Sequence, residues 1–256
     1  YAAETYPEAQ FFNLSPRTPV PREPKKPGST ALLSPPNHHQ TQYFSHLDRF
    51  PFAEQSFDAV VYRFPVASPE SHYGNIISES RRVLRPGGYI ELAILDLDLN
   101  NMGNRGRRAI RQLKEKIHDA SPDNTLGSAA DLIVRFLGVD GFSGIKAAKV
   151  GIPVASSITQ ADDKGKSKDG SNRAKDLPSL SEMMKDTSPA ADANITKMVT
   201  RVGRWWYTRC YENAAISRRN KDIWADKTLL RECQEQGTSL KLTVCCARAS
   251  DRATSY

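Results

Sequence analysis

The chain has 256 residues, 36 Lys and Arg against 29 Asp and Glu for a formal net charge of +7, and 39% hydrophobic residues, the balance of a globular protein with one ordinary core. No apolar run approaches the roughly 18–20 residues that cross a bilayer, and 15 Gly and 16 Pro are too few for a collagen-like or wholly disordered chain, so these classes are excluded. The basic residues are spread along the sequence, which does not indicate a nucleic-acid partner. Cys210, Cys233, Cys245 and Cys246 form no CxxC pair. That argues against a zinc framework or disulfide scaffold and for a reducing compartment, cytoplasmic or nuclear. The sequence opens on Tyr1 with no leader-like segment, so the expectation is a piece of a longer or processed product.

Tyr6 to Ser15 (YPEAQFFNLS) predicts a strand. From residue 16 to 42 the chain meets Pro16, Pro19, Pro21, Pro24, Pro27, Pro35 and Pro36, which remove donors and predict an extended loop, either a connector or a docking segment for a protein partner. Tyr43 to Leu47 is a further strand candidate. Phe57 to Tyr62 is an apolar run broken only by Asp58, as in a strand buried on both faces. Ser68, with Pro69 and Glu70 behind it, reads as a helix cap, and Ile76, Ile77, Val83 and Leu84 as the buried stripe. Arg85-Pro86-Gly87-Gly88 then stops the helix and turns the chain into a strand from Tyr89 to Leu95. Strand, helix and strand in this order predict an α/β fold with parallel strands and a right-handed crossover.

Ile110, Leu113 and Ile117 recur at helical spacing with a basic outer face. Asp131 to Leu137 continues helically to Gly138, and Ile145 to Ala155 reads as a strand. Residues 162–192 open on a charged, apolar-poor stretch and are expected to form a disordered insertion. Ile195, Met198, Val199, Val202, Trp206 and Cys210 mark another helix. Lys227 to Gln236 forms one closed by Gly237, and Ser239 to Ala247 a final strand. The whole is read as a single partial domain over 1–256.

FPFAEQSFDAVVYRF at 50–64, followed by SESRRVLRPGGYIEL at 78–92, resembles the class I S-adenosylmethionine-dependent methyltransferases, most closely the type 11 methyltransferase domain. YPEAQFFNLSP at 6–16 is similar to the family's second-strand region, and GTSLKLTVCCAR at 237–248 to its last strand. The resemblance implies a Rossmann-like sheet, mostly parallel with an antiparallel final strand and without the family's first strand. Its glycine-rich loop would precede Tyr1.

It further implies S-adenosylmethionine as cofactor and a small molecule or a protein as methyl acceptor. Because ligands of open α/β sheets sit outside the carboxyl ends of strands, the implied cofactor residues are Asn13 and Leu14, His46 and Leu47, and Tyr62 and Arg63. Asn13 stands where the family has an acid for the ribose hydroxyls, and His46 where it has the acid after the third strand. Both replacements remove charge-assisted contacts. Tyr62 or Phe64 could face the sulfonium, Trp205 is a lid candidate, and Trp206 belongs to the packed stripe. Asp96 and Asp98 are read as ordinary carboxylates. The competing reading is a methyltransferase-like regulatory or interaction protein without cofactor. A nucleotide-dependent oxidoreductase is disfavoured, since no GxGxxG follows a strand.

Overall fold

The computed structural model describes residues 2–16, 35–43, 45, 47–155, 189–213 and 222–250. After a short helix α1 (Ala2–Thr5), strand β1 (Phe11–Pro16) pairs in parallel with β2 (His38–Tyr43). A second sheet contains β3 (Phe57–Arg63), β4 (Leu84–Asn100), β5 (Phe142–Pro153) and β6 (Ser239–Ala249) in the order β3-β4-β6-β5. β3 is parallel to β4, and β6 lies antiparallel between β4 and β5. Three strands therefore run one way and only the last is reversed. This is the Rossmann-like α/β sheet that the resemblance implies.

The helices are α2 (Glu70–Val83), α3 (Asn104–Ala120), α4 (Ala129–Val139), α5 (Pro189–Tyr207), continued by a π-helical turn (Thr208–Glu212), and α6 (Lys227–Gln236). Among the described residues, no helix is long and apolar enough to cross a membrane.

Strand β4 explains how the layers assemble. Successive side chains of a strand point to opposite faces. Ile90, Leu92 and Ile94 meet Tyr73 and Ile77 of α2 and Ile133 and Leu137 of α4. Leu95, Leu97 and Leu99 meet Ile110, Leu113 and Ile117 of α3, Tyr207 of α5, Tyr211 of the π-helical turn and Leu229 of α6. Each fully buried Leu or Ile contributes roughly 1.5–3 kcal/mol, so this one strand anchors both layers. The Pro-Gly-Gly turn sets its start. Gly87 has φ +78, and a Cβ on Gly88 would come within 2.9 Å of the Asp58 carbonyl, so neither site accommodates a side chain without a shift.

Several expectations are corrected. Within the 16–42 segment expected to be loop, residues 38–43 form β2, and the strand expected over Tyr43 to Leu47 ends at Tyr43. HHQTQY shows no apolar alternation. Pairing with β1 makes it a strand, helped by Asn37, whose Nδ2 donates to the carbonyls of Ala3 and Ala9 at 3.0 and 2.7 Å. Tertiary pairing here overrides local preference. Residues 17–34 of that loop, and 162–188 of the expected insertion, lie outside the described residues, while 189–192 open α5.

Pro69, and not Ser68, occupies the N-cap of α2. Ser68 instead receives its own backbone contact from Tyr73, whose Oη accepts the Ser68 N–H at 3.1 Å. The Phe57–Tyr62 run is buried on one face only. Val60 and Tyr62 pack against the α2/α4 layer, but Val61 is 56% exposed, as are Tyr89 (57%) and Val244 (39%) on the same face. The helices of that side gather over the carboxyl half of β4. Its amino half is left open among the described residues.

At the amino ends of the strands, Glu79 and Arg82 tie the loop before β3 to α2. Arg82 donates to Glu79 at 2.6 Å and to the Phe50 and Phe52 carbonyls at 3.0 Å, while the Phe50 N–H donates to Glu79 at 2.7 Å. A concavity of about 410 Å³ is lined by Arg49 to Glu54 and Arg82. It lies at the strand ends opposite those where α/β sheets bind ligands. Burial raises the Glu79 carboxyl, but the hydrogen bonds from Arg82 and Phe50 outweigh it and hold the group below its ordinary value. A depressed folded-state pKa adds stability above the unfolded-state value, and that stability is lost as pH falls through the folded one.

Two outcomes follow. Leu92→Ala should cost about 3 kcal/mol and Val61→Ser less than about 0.5 kcal/mol in urea denaturation. Equal costs would contradict the open face. As pH drops below about 4.3, the urea midpoint of the wild-type chain should fall more steeply than that of Glu79→Gln. Parallel curves would remove Glu79 from the acid response.

Candidate active site

The carboxyl ends of β1, β2, β3 and β4 are the candidate site, and the loop after β3 is its most constrained part. Strand alternation sends Tyr62 and Arg63 to opposite faces. Tyr62 packs into the α2/α4 layer, and burial, reinforced by Tyr73, Tyr43 and Cys210, raises its phenol well above the ordinary value. Arg63 points to the other face and pairs with Glu91. Both partners of that pair are exposed, so it contributes little stability.

Phe64 follows with φ +54, a left-handed conformation that costs a bulky side chain energy and persists only where neighbours over-determine it. Those neighbours are present. The Phe64 N–H donates to the Ala93 carbonyl at 2.7 Å, and its own carbonyl accepts from Cys210 Sγ at 3.4 Å. The Ala67 N–H donates to the Cys210 carbonyl at 2.8 Å, and Tyr73 Oη donates to the Val66 carbonyl at 2.9 Å. The loop is thus clamped by α2 on one side and by the π-helical turn on the other. Desolvation pushes the Tyr73 phenol and the Cys210 thiol up to about 12. Both stay protonated at neutral pH and serve as anchors instead of acids or bases.

Over this loop lies an aromatic group. Phe64 stacks on Trp206 with centroids 4.4 Å apart and ring planes at 22°, and Trp205 meets Trp206 edge-on at 4.7 Å. The Arg209 guanidinium lies over both indoles, at 5.1 Å from Trp205 and 6.0 Å from Trp206. Trp206 packs against the main core as expected, but Met198, Val199 and Val202, read from the sequence as members of the same stripe, are exposed.

Asn13, expected to end its strand, lies within β1, which continues to Pro16; it is exposed and its Nδ2 donates to Gln40 Oε1 at 2.9 Å. Gln40 Nε2 in turn donates to Ser15 Oγ at 2.8 Å. This ladder of neutral donors and acceptors follows from the β1–β2 register, in which Asn13 faces Gln40. Leu14 is half-buried between Asn13 and Ser15 in β1. Leu47 is exposed in a turn where its N–H donates to Ser45 Oγ at 3.2 Å. His46 lies outside the described residues. The two sheets meet through rings: Phe12 of β1 touches Phe57 of β3 edge-on at 5.4 Å.

The two carboxylates beyond Leu95 are committed elsewhere. Asp96 is buried within β4 and accepts from Ser128 Oγ at 3.1 Å and the Ala130 N–H at 3.0 Å, which holds the amino end of α4 where negative charge is favoured. Asp98 pairs with Lys114 at 2.9 Å. Among the described residues, no group of three or more His, Cys, Asp and Glu could hold a metal ion. Gln40, Ser15, Arg209 and Cys210 were not readable as site residues, because register and the π-helical turn place them and neither is visible in a local pattern.

No protein-family model and no curated protein matches the chain. Among solved structures, it aligns with Haemonchus contortus phosphoethanolamine N-methyltransferase 2, solved with phosphomonomethylethanolamine and S-adenosylhomocysteine, at 12% identity over 83% of this chain and 38% of that one, TM-score 0.36. It also aligns with geranyl diphosphate methyltransferase in complex with GPP and sinefungin, at 10% identity over 83% and 54%, TM-score 0.36. A third match is the YcgJ protein of Bacillus subtilis, at 11% identity over 85% and 73%, TM-score 0.34. The chain spans 38% and 54% of the length of the two methyltransferases. Similarity this distant assigns no chemistry to this chain.

The clamp on the β3 loop can be measured. Tyr73→Phe removes the donor to Val66 and the acceptor for Ser68, and should cost about 2 kcal/mol in urea denaturation. A cost near zero would show that the loop is held by other means.

Proposed function

We propose that this chain belongs to an S-adenosylmethionine-dependent methyltransferase acting on a small molecule or a protein. One observation carries the reading. The two motif segments that resemble the family lie side by side as β3 and β4, and the reversed strand β6 is inserted between β4 and β5. Methyl transfer from a sulfonium needs positioning and exclusion of water more than a dedicated base, which suits a site whose carboxylates are occupied in structural bonds.

Bound S-adenosylmethionine would supply an activated methyl group. The chain's own residues would orient the reactants: the Asn13–Gln40–Ser15 ladder offers hydrogen-bond partners for hydroxyls, and Tyr62 and the rigid Phe64 loop form a wall at the carboxyl end of β3. The buried thiols of Cys210, Cys233 and Cys245, all free, fit a reducing compartment.

A second reading, a methyltransferase-like regulatory or interaction protein, is favoured by Asn13 itself. Its amide is already engaged by Gln40, and it brings no charge to the end of β1. Calorimetric titration separates the two. S-adenosylmethionine should bind with a Kd of about 100 μM or weaker, because a neutral contact replaces a charge-assisted one. Asn13→Asp should tighten binding about tenfold. An unchanged Kd would remove Asn13 from the cofactor, and no heat with either chain would leave the regulatory reading standing.

A further inference from the structure

The aromatic group over the Phe64 loop is partly exposed and carries one cation. Trp205 is 52% exposed, and Met198, Val199 and Val202 extend it as an exposed apolar stripe along α5. The side of the helix that carries Thr200, Gly203 and Tyr207, opposite Trp205 and Met198, is buried: a Cβ at Gly203 would lie 2.9 Å from Ile152 and 3.1 Å from Leu240. The stripe is therefore not the helix's packing face. Its far end is held rigid. Phe64 keeps its strained backbone beneath Trp206, and the π-helical turn, a form frequent at functional sites, is fixed by Glu212, which accepts from Thr208 Oγ1 at 2.8 Å and from the Ile223 N–H at 3.1 Å.

Arg209 decides the sign of the ligand's charge. The electron-rich faces of both indoles already hold its guanidinium, so a second cation there meets repulsion. Arg209 is exposed and pairs with no carboxylate among the described residues. A guanidinium held near ring faces and free of a carboxylate keeps N–H groups that can donate to an anion. Lys197, Arg201 and Arg204 on α5, against Asp192, add a positive field.

We infer that the shelf of Trp205, Trp206 and Arg209 binds a soluble small molecule with a planar unsaturated body and an anionic carboxylate or phosphate group. That this molecule is the methyl acceptor rests on the function proposed above. Its binding does not.

Equilibrium dialysis of the 256-residue chain against 2-naphthoate, 2-naphthylmethanol and 2-naphthylmethylammonium tests the inference. Naphthoate should bind at least tenfold more tightly than the ammonium isostere. Trp205→Ala should weaken naphthoate at least tenfold, and Arg209→Gln should bring it to the affinity of the alcohol. Arg135→Gln, an exposed change on α4 in the layer on the other face of the sheet, should stay within twofold. Far-UV circular dichroism checks that the variants fold, and Arg209→Gln, an exposed change, carries the test if Trp205→Ala does not.

Equal affinity for the three probes, or indifference to Arg209→Gln, would overturn the inference. So would co-sedimentation with phosphatidylserine vesicles in the absence of naphthoate binding, which would make the stripe a lipid surface. Naphthoate binding without S-adenosylmethionine binding would sink the methyltransferase reading alone, and the reverse would sink this one alone.

Discussion

Strand β4 is the constraint on which the rest of the structure depends. It hydrogen-bonds to β3 on one side and β6 on the other, and its alternating apolar side chains nucleate two separate hydrophobic layers. Because Ile90, Leu92 and Ile94 belong to one layer and Leu95, Leu97 and Leu99 to the other, a slip of one residue in its register would exchange the two sets. The Pro-Gly-Gly turn, which admits no side chain at Gly88 without displacing the Asp58 carbonyl, protects against that slip at the point where β4 begins.

The same strand organises the candidate site. Its backbone holds Phe64 through Ala93, its Leu95 and Leu97 carbonyls accept from the hydroxyls of Tyr211 and Tyr207, and its Asp96 seats α4. Helices on both faces are thereby referred to one backbone, which gives the loop after β3 the rigidity that a positioning site requires. The polar end of β1 and β2 is different in kind. It is held by an exposed ladder of neutral side chains and is joined to the main sheet by ring contacts.

Where local chemistry suffices, the sequence is a faithful guide. Asp226 caps α6 by accepting from the Thr228 and Leu229 N–H groups, and Gly237 closes the helix in the left-handed conformation, as the Asp-to-Gly spacing announces. The closing strand from Ser239 and the turn before Tyr89 are equally legible. Strand β2 is not, because its polar residues become a strand only by pairing with β1. The exposure of Val61 and Tyr89 is not legible either, since an apolar run looks the same whether or not a helix covers it. In the candidate site, Tyr62 could be placed at a strand end from sequence, but the continuation of β1 past Asn13 to Pro16, the partner of Asn13 and the opposed directions of Tyr62 and Arg63 follow from register and pleat.

The amino-acid sequence alone determined the order of the elements from β3 onward, the stop of α6 at Gly237, the turn before Tyr89 and the motif pair of β3 and β4, because these depend on residues a few positions apart. The tertiary structure decided which strands pair, which faces are covered, and that Phe64, Trp205, Trp206 and Arg209 form one shelf. Those outcomes depend on groups tens to more than a hundred residues apart in the chain, whose meeting is a property of the assembled core and leaves no local trace.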